Sequence, residues 1–217
     1  MQTLTEYILK LSPPFGLFDR TVVENLFPEV SDGARKLLIH RAVNSKEILR
    51  LKRGLFVLSR EYQKILPHPF LVAAMLHSPS HISLESALSF HGLIPEAVFQ
   101  VSSVTSIRSR SFDSPLGFFT FQRVPMENPR SGVQAVKIGE DSWAFIAEPL
   151  RAITDLIYLR KEISWVKDGA GFLIESMRME EEDLHQINFS HLNETLESLR
   201  DKRTVEYLRG LKKVFSR

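Results

Sequence analysis

Cysteine is absent from the chain, so disulfide bonds, cysteine-ligated zinc sites and thiol nucleophiles are excluded. Long hydrophobic runs are absent too, and no stretch approaches the roughly 20 apolar residues of a membrane-spanning helix. Residues 1–11 lack the positive start and the continuous apolar core of a secretory signal peptide. These absences predict a soluble protein of the reducing cytoplasm that has no membrane partner.

Several signatures of catalysis are also missing. The sequence has no Gly-x-Ser-x-Gly elbow, and it has neither a GxxxxGK nor a GxGxxG phosphate-binding loop. His81 and Glu85 have the spacing of metal ligands on a helix, but Ser78-Pro79-Ser80 breaks the helix that would bring His77 beside them. We therefore expect no enzyme activity, no catalytic residue, no metal site and no cofactor.

Positive charge exceeds negative charge only slightly over the whole chain, but it is concentrated in one segment. The 217 residues include 28 Lys or Arg and 26 Asp or Glu, a formal net charge of +2. Between Ser31 and Lys64, however, nine basic residues face three acids, a local net charge of +6. A basic segment in a near-neutral protein favours a surface that contacts phosphates, although a merely solvated surface is the alternative.

The basic segment has the pattern of a helix followed by a two-stranded hairpin. Ser31 is a good N-cap, and two short apolar runs at 46–51 and 55–58 are joined by a turn at Gly54. The helix is expected to bury an apolar stripe formed by Ala34, Leu37, Leu38 and Ala42.

Two further helices are predicted before this segment. Apolar residues from Leu4 to Leu11 lie on one side of a first helix, which residues 12–16 terminate. Asp19 is suited to cap a second helix that runs to about Phe27 and ends at Pro28. Three helices, a short connection and a basic hairpin together predict a winged helix-turn-helix that binds double-stranded DNA.

A helical wheel centred on Lys36 gives the candidate contacts to DNA. His40, Gly33, Asp32 and Asn44 fall on its outward arc with Arg35 at the edge, whereas Arg41 falls inside the apolar stripe and is not expected to read bases. Lys36, Arg35 and His40 are suited to donate to guanine or phosphate, and the hairpin cations are suited to hold the backbone. The predicted DNA-binding residues are Ser31, Arg35, Lys36, His40, Arg50, Lys52 and Arg53.

The chain as a whole is predicted to be α+β, with a winged helix-turn-helix domain at 1–62 and a second α+β domain at 69–217. Two prolines and several charged residues mark the boundary at 60–69. The second domain begins with a helix at 70–77 and another that Ser83 caps and Gly92 ends. A small, mostly antiparallel sheet follows, with strands at 98–105, 117–124, 133–138 and 143–146, and helices continue from Pro149 to the end.

Three segments of the chain resemble the AbiEi family of type IV antitoxins, which are also transcriptional regulators of phage-defence loci. The segments are RLKRGLFVLS, HPFLVAAMLHSPSHISLESALSFHGLIPEAVFQVSSVT and AEPLRAITDLIYLR, in this order, and the stretch at 172–178 extends the likeness. The motifs are the hairpin, a helix end at Ser86–Leu93 and a helix at Pro149–Leu156.

The resemblance implies an N-terminal winged helix that represses its own operon by binding inverted repeats. It also implies a C-terminal domain that counters a nucleotidyltransferase-like toxin, AbiEii, without requiring a stable complex. One departure from the family is that the glycine common between helix and hairpin is missing. Asn44, which tolerates a left-handed backbone, is then expected to make that turn.

A regulator that responds to a small ligand, with no toxin partner, is the alternative. Its second domain would then bind a small molecule. The aromatic residues available to line a pocket are Phe112, Phe118, Phe119, Phe121 and Trp143. Sheets usually bury such residues, so a core role is the better interpretation.

Overall fold

The structure is a computed structural model that describes residues 3–95, 99–139 and 142–216. It is mixed α+β, with one three-stranded and one six-stranded sheet. The helices are α1 (Leu4–Leu11), α2 (Arg20–Leu26), α3 (Asp32–Asn44), α4 (Pro69–Leu76), α5 (Leu84–Phe90), α6 (Pro149–Leu159), α7 (Trp165–Asp168), α8 (Glu181–His185), α9 (Leu192–Ser198) and α10 (Lys202–Phe215). The strands are β1 (Leu17–Asp19), β2 (Ile48–Lys52), β3 (Leu55–Leu58), β4 (Ser80–Ile82), β5 (Gln100–Thr105), β6 (Arg110–Ser114), β7 (Gly117–Arg123), β8 (Val133–Gly139) and β9 (Ser142–Ala147).

Local capping signals set the first three helices, and their predicted positions are confirmed. Thr3 and Glu6 form a reciprocal capping box on α1. The Asp19 carboxylate accepts a hydrogen bond from the Val22 amide at the start of α2, and the Ser31 hydroxyl accepts one from Ala34 at the start of α3. These bonds satisfy amide groups that a helix N-terminus otherwise leaves without partners.

The turn after α3 differs from the expectation. Asn44 remains helical, and Lys46 takes the left-handed conformation, with φ of 59°. The Lys46 amide donates to the Val43 carbonyl and the Glu47 amide donates to Ala42, which closes the helix end. The chain thus makes this turn with a lysine and without a glycine.

The small sheet has the strand order β1-β3-β2, with both pairings antiparallel. Strand β1, which is only three residues long, did not appear in the sequence-based prediction. It pairs with β3 so that Phe18 faces Phe56, and these two rings stack with centroids 5.7 Å apart. Strand β1 therefore joins the segment between α1 and α2 to the hairpin.

Strand β3 of the small sheet is buried on both faces. Successive side chains of a strand point to opposite sides, so its residues enter two different cores. Phe56 and Leu58 of β3 pack with the three helices, in a core that also contains Ile8, Val23 and Ile39. The opposite face packs into the core of the rest of the chain through Leu17, Leu51, Leu55 and Val57. The two predicted domains, which we call the N-terminal region (1–62) and the second region (69–217), thus share one hydrophobic interface.

The large sheet has the order β6-β7-β5-β4-β9-β8. It is a mixed sheet, whereas a mostly antiparallel one was predicted, since β5–β7 and β4–β9 are parallel pairs. Strands β4 and β6 were missed, and β4, at three residues, lies inside the sheet. Of the predicted strand at 98–105, Val98 lies outside the described residues and the described part begins at Gln100.

A buried polar network links α6 to the large sheet. Arg151 and Asp155, one helical turn apart on α6, form an ion pair of 2.9 Å with 1% and 0% of their side chains exposed. The Ser83 hydroxyl donates to the other Asp155 oxygen at 2.7 Å, so Ser83 stands at the N-cap of α5 as predicted but does not cap it with its side chain. His81 lies 3.4 Å from that same oxygen.

The Arg151 guanidinium also holds the segment before β8 through its Nη1. Its Nη1 donates to the Ser131 carbonyl at 2.6 Å, and Gly132 lies so close that a Cβ there would come within 2.9 Å of the Arg151 Cβ. Burial raises the pKa of the Asp155 carboxyl, but the Arg151 charge and the bonds from His81 and Ser83 outweigh it and leave that pKa below its ordinary value. Asp155 is therefore a buried carboxylate.

None of the helices in the described part of the chain has the length and apolar character needed to cross a bilayer.

Replacing Asp155 by asparagine should lower the free energy of unfolding by about 3–5 kcal/mol, because it leaves the Arg151 charge buried without its counter-charge. Urea denaturation followed by circular dichroism measures this change. The double variant Arg151→Met, Asp155→Leu is the matched control, and it should recover much of the loss since it removes both charges. Wild-type stability in the Asp155→Asn chain would contradict the assigned role.

Candidate nucleic-acid interface

Helix α3 exposes a wider face than the one predicted: Gly33, Lys36, His40 and Asn44 are exposed as expected, and further residues join them. Ile39 and Ala42 are buried, whereas Ala34 and Leu37, expected inside, are exposed, and 48% of Leu37 is accessible. Arg41, expected within the stripe, is exposed as well. The outward face of α3 therefore consists of Gly33, Ala34, Lys36, Leu37, His40, Arg41 and Asn44.

Arg35, predicted as a DNA contact, is turned inward. Its Nη1 donates to the Phe27 carbonyl at the end of α2, at 3.1 Å, and its Nε is buried with no hydrogen-bond partner among the residues that the structure describes. The same carbonyl also accepts from the Val30 amide at 3.2 Å, so the Arg35 side chain joins α3 to the turn that follows α2. Arg35 is thus a residue that positions α3.

The start of α3 carries a chain of ion pairs. Lys36 Nζ lies 2.7 Å from the Asp32 carboxylate, and the Arg20 guanidinium contacts the same carboxylate and also Glu24, at 2.8 Å. The hydrogen bond from Lys36 is the largest cause that holds the pKa of Asp32 below its ordinary value. With 62% of its side chain exposed, Lys36 can exchange this surface pair for another anion at little cost.

His40 and Ser31 complete the predicted set on α3. Ser31 is exposed, but its hydroxyl is engaged as the helix cap described above. His40 is exposed on the outward face, and its Nδ1 accepts from the Asn44 amide at 3.2 Å. A neutral His40 oriented in this way presents Nε2–H to the solvent as a donor.

The hairpin presents Arg50 and Arg53 to the solvent. The Arg50 guanidinium lies 5.9 Å from the centre of the Phe56 ring, a cation–π contact that limits its freedom. Arg53 occupies the tip, where Gly54 turns the chain with φ of 82°. In the described residues Arg53 has neither an ion pair nor a hydrogen bond, so its charge is available to a partner.

Lys52 was predicted to hold the DNA backbone, but it points the other way. Its ammonium donates to the carbonyls of Met75 and Leu76, at 2.9 and 2.7 Å, at the C-terminal end of α4. Burial lowers the Lys52 pKa, with a further contribution from the nearby Arg110 charge. Lys52 is therefore a structural link between the hairpin and α4, where the helix dipole favours a cation.

Three exposed arginines follow beside Lys52, and we call them the arginine patch: Arg108 in the connection between β5 and β6, Arg110 of β6 and Arg123 of β7. The Arg123 amide donates to Ser109 Oγ at 2.9 Å, which keeps its strand next to the segment that carries the other two. His77 donates a hydrogen bond to the Arg108 carbonyl. Burial is the main cause that lowers the pKa of His77, and the nearby charges of Arg110 and Lys52 lower it further. None of the three arginines forms an ion pair within the described residues.

These features are neighbours on the molecule. The Arg20 amide, at the start of α2, donates to the Gly54 carbonyl at 3.0 Å, and the Arg20 side chain contacts Asp32 at the start of α3. On its other side the hairpin meets β6 and the arginine patch through Lys52 and Arg110. The start of α3, the hairpin tip and the arginine patch thus follow one another across the surface.

The histidines between His77 and His91 are each occupied by structural contacts. His81 lies on the Asp155 carboxylate, His91 Nε2 lies 2.9 Å from the Ala147 carbonyl, and Glu85 pairs with Arg160 at 2.8 Å. Over the described ranges, no three histidine or acidic side chains are arranged to hold a metal ion.

The aromatic residues of the large sheet divide between core and surface. Phe119 and Phe121 are fully buried, which confirms the core interpretation for these two rings. Phe118 and Trp143 are exposed on strand faces, and Phe112 packs at the edge of the core.

No protein-family model matches the chain, and no curated protein is significantly similar to it in sequence.

Replacing Lys52 by methionine should reduce the free energy of unfolding by about 1–2 kcal/mol, because the carbonyls of Met75 and Leu76 lose their charged donor. Arg53→Met, at the adjacent exposed position, is the matched control and should change stability by less than about 0.5 kcal/mol. Thermal and urea denaturation of both variants test this difference. Equal stability of the two variants would show that the Lys52 contacts contribute nothing.

Proposed function

We propose that the chain is a DNA-binding transcriptional repressor whose N-terminal region is a winged helix-turn-helix. The observation that carries the proposal is the arrangement of α1, α2 and α3 on the β1-β3-β2 sheet, with a solvent-exposed α3 and an adjacent cationic hairpin. In that class of protein the third helix enters the major groove and the hairpin forms the wing.

Under this proposal the exposed face of α3 reads bases. Lys36 and Arg41 are suited to donate to guanine O6 and N7, and His40 offers one more donor. Leu37, an exposed apolar residue between them, is suited to contact a thymine methyl group. Ser31, Arg35 and Lys52 act indirectly in this scheme, since their polar groups hold α3 and the hairpin in place.

Phosphate contacts would come from the hairpin and the sheet. Arg50 and Arg53 carry exposed charges on the hairpin, and the arginine patch extends the cationic surface beyond Lys52. Phosphate contacts fix the position of a protein on DNA without reading its sequence. The C-terminal region would thus add to the affinity while α3 supplies the specificity.

We further propose that this repressor serves as the antitoxin of a type IV toxin–antitoxin system and counters a nucleotidyltransferase-like toxin. The sequence resemblance to the AbiEi family supports this part of the proposal. Two of the resembling segments contain α5 and α6, which pack together and are joined through Ser83 and Asp155. A ligand-responsive regulator without a toxin partner is the competing function, and the cavity described in the next subsection bears on it.

The triple variant Lys36→Ala, Arg41→Ala, Arg53→Ala should bind the promoter upstream of its own gene much more weakly than the wild type. The slope of log K against log salt concentration should become shallower by about 0.9 for each phosphate contact removed. Fluorescence anisotropy over a range of salt concentrations measures both quantities. A second variant, in which the arginine patch is changed to alanine, should show a shallower dependence of log K on log salt concentration. It should keep its preference for the operator sequence.

The control for this experiment removes the same number of charges elsewhere, at the exposed residues Lys161, Lys167 and Lys202. It should bind the promoter like the wild type. If the wild type binds no promoter DNA, or if the α3 variant binds as tightly as this control, the proposed DNA-binding role is wrong.

The toxin-neutralising role should survive the loss of operator binding. Full-length chain with Lys36→Ala and Arg41→Ala should still rescue the growth of cells that express a nucleotidyltransferase-like protein encoded beside it. Ala144→Asp, which places a charge in the core of the second region, should abolish rescue. Growth curves with matched expression levels test this, and a failure of the wild-type chain to rescue would refute the antitoxin role.

A further inference from the structure

A cavity of about 460 Å³ opens beside the buried polar network of the second region. It lies between α4, the strand ends of β4, β5 and β9, and the segment before β8. This volume is in the range that accommodates a small organic ligand. Its walls are formed by Ala74, Ser78, Pro79, Ser80, His81, Val104, Thr105, Ser106, Val124, Asn128, Pro129, Arg130, Val133, Phe145 and Arg151.

One part of the cavity is apolar. Val104, Val124 and Val133 line it, together with the ring of Phe145. Valine side chains and an aromatic face are suited to a flat hydrocarbon body, which gains free energy by leaving water.

The cavity also contains two guanidinium groups. The Arg130 guanidinium lies 4.6 Å from the centre of the Phe145 ring and forms no ion pair with a described carboxylate. Arg151 uses Nε and Nη1 for Asp155 and backbone carbonyls, and its Nη2 donates to no atom of the described structure. Donors on two arginines are thus left for an acceptor in the cavity.

The other titratable groups of the described residues beside the cavity do not carry an unpaired negative charge that would repel a bound anion. The Asp155 charge is matched by Arg151 through the pair described above, and it is also bonded to Ser83. His81 is nine-tenths buried, and burial lowers its pKa, so the imidazole is neutral near pH 7. Arg130 lines the cavity itself, whereas the Glu194 carboxylate lies outside the lining and accepts a hydrogen bond from Asn128.

We propose that this cavity binds a small organic anion with a flat apolar body, such as an aromatic carboxylate. The carboxylate would pair with Arg130 and with the free Nη2 of Arg151, and the body would lie against Phe145 and the three valines. Guanidinium groups favour carboxylates because their parallel N–H donors match the two oxygens. The proposal does not depend on DNA binding, and it gives the second region a ligand site.

The probe for the test is 4-fluorobenzoate, and 4-fluorobenzyl alcohol is its uncharged counterpart. Titration of the full-length chain should broaden and shift the ¹⁹F resonance of the benzoate, and the alcohol should bind more weakly. Arg130→Gln should weaken the benzoate about tenfold, since it removes a charge-assisted hydrogen bond, and should leave the alcohol unchanged.

Ala74→Trp tests the location, because Ala74 is an exposed residue at the wall of the cavity and an indole there fills the space. This variant should lose binding of both probes. Met75→Trp, at the next exposed position and outside the cavity lining, is the control and should bind like the wild type. Circular dichroism verifies that each variant is folded.

Three results would overturn the proposal. They are the absence of benzoate binding to the wild type, equal binding of benzoate and alcohol, and wild-type binding by a folded Ala74→Trp chain. Each concerns the cavity alone, so none of them bears on the proposed role of α3.

Discussion

Strand β3 is buried on both of its faces, and the relation between the two halves of the molecule depends on that burial. Phe56 and Leu58 fill the core under the three N-terminal helices, while Leu55 and Val57 fill the core of the larger sheet. A strand held by hydrophobic contacts on both sides cannot tilt without exposing apolar surface to water on one of them. The orientation of α3 and of the hairpin relative to the arginine patch is fixed in this way.

Polar interactions also hold neighbouring elements together at two places. Lys52 satisfies the last carbonyls of α4 and so ties the hairpin to the second region. Arg151 and Asp155 join α6 to the segment before β8, and Ser83 brings the start of α5 to the same carboxylate. A buried charge is costly unless it is paired, so Arg151 and Asp155 each depend on the other to remain inside the protein. The cationic surface and the cavity are both built around residues held by these bonds.

The first three helices were predictable because their signals are local. Asp19 and Ser31 bond to amides three residues ahead, and Gly54 supplies a positive φ at the hairpin turn. Strands of three residues were not predictable, since β1 and β4 are stabilised by partners that are distant in the sequence. The inner face of α3 was predicted only in part, since Ala42 is buried as expected but Ala34 and Leu37 are exposed. Apolar residues surround much of that helix, so their spacing alone did not define the buried side.

In the candidate nucleic-acid interface, too, some features follow from neighbouring residues and others from distant parts of the chain. By itself, the sequence determined the positions of α1, α2, α3 and the hairpin and the concentration of positive charge between Ser31 and Lys64, because helix caps, turns and charge are properties of neighbouring residues. Only the tertiary structure decided which cations are available to a partner. It turned Arg35 and Lys52 inward, left Arg41 and Arg53 exposed, and added arginines from β6 and β7. The physical reason is that a long cationic side chain takes whichever carbonyl or solvent the packed neighbours offer it, and those neighbours come from distant parts of the chain.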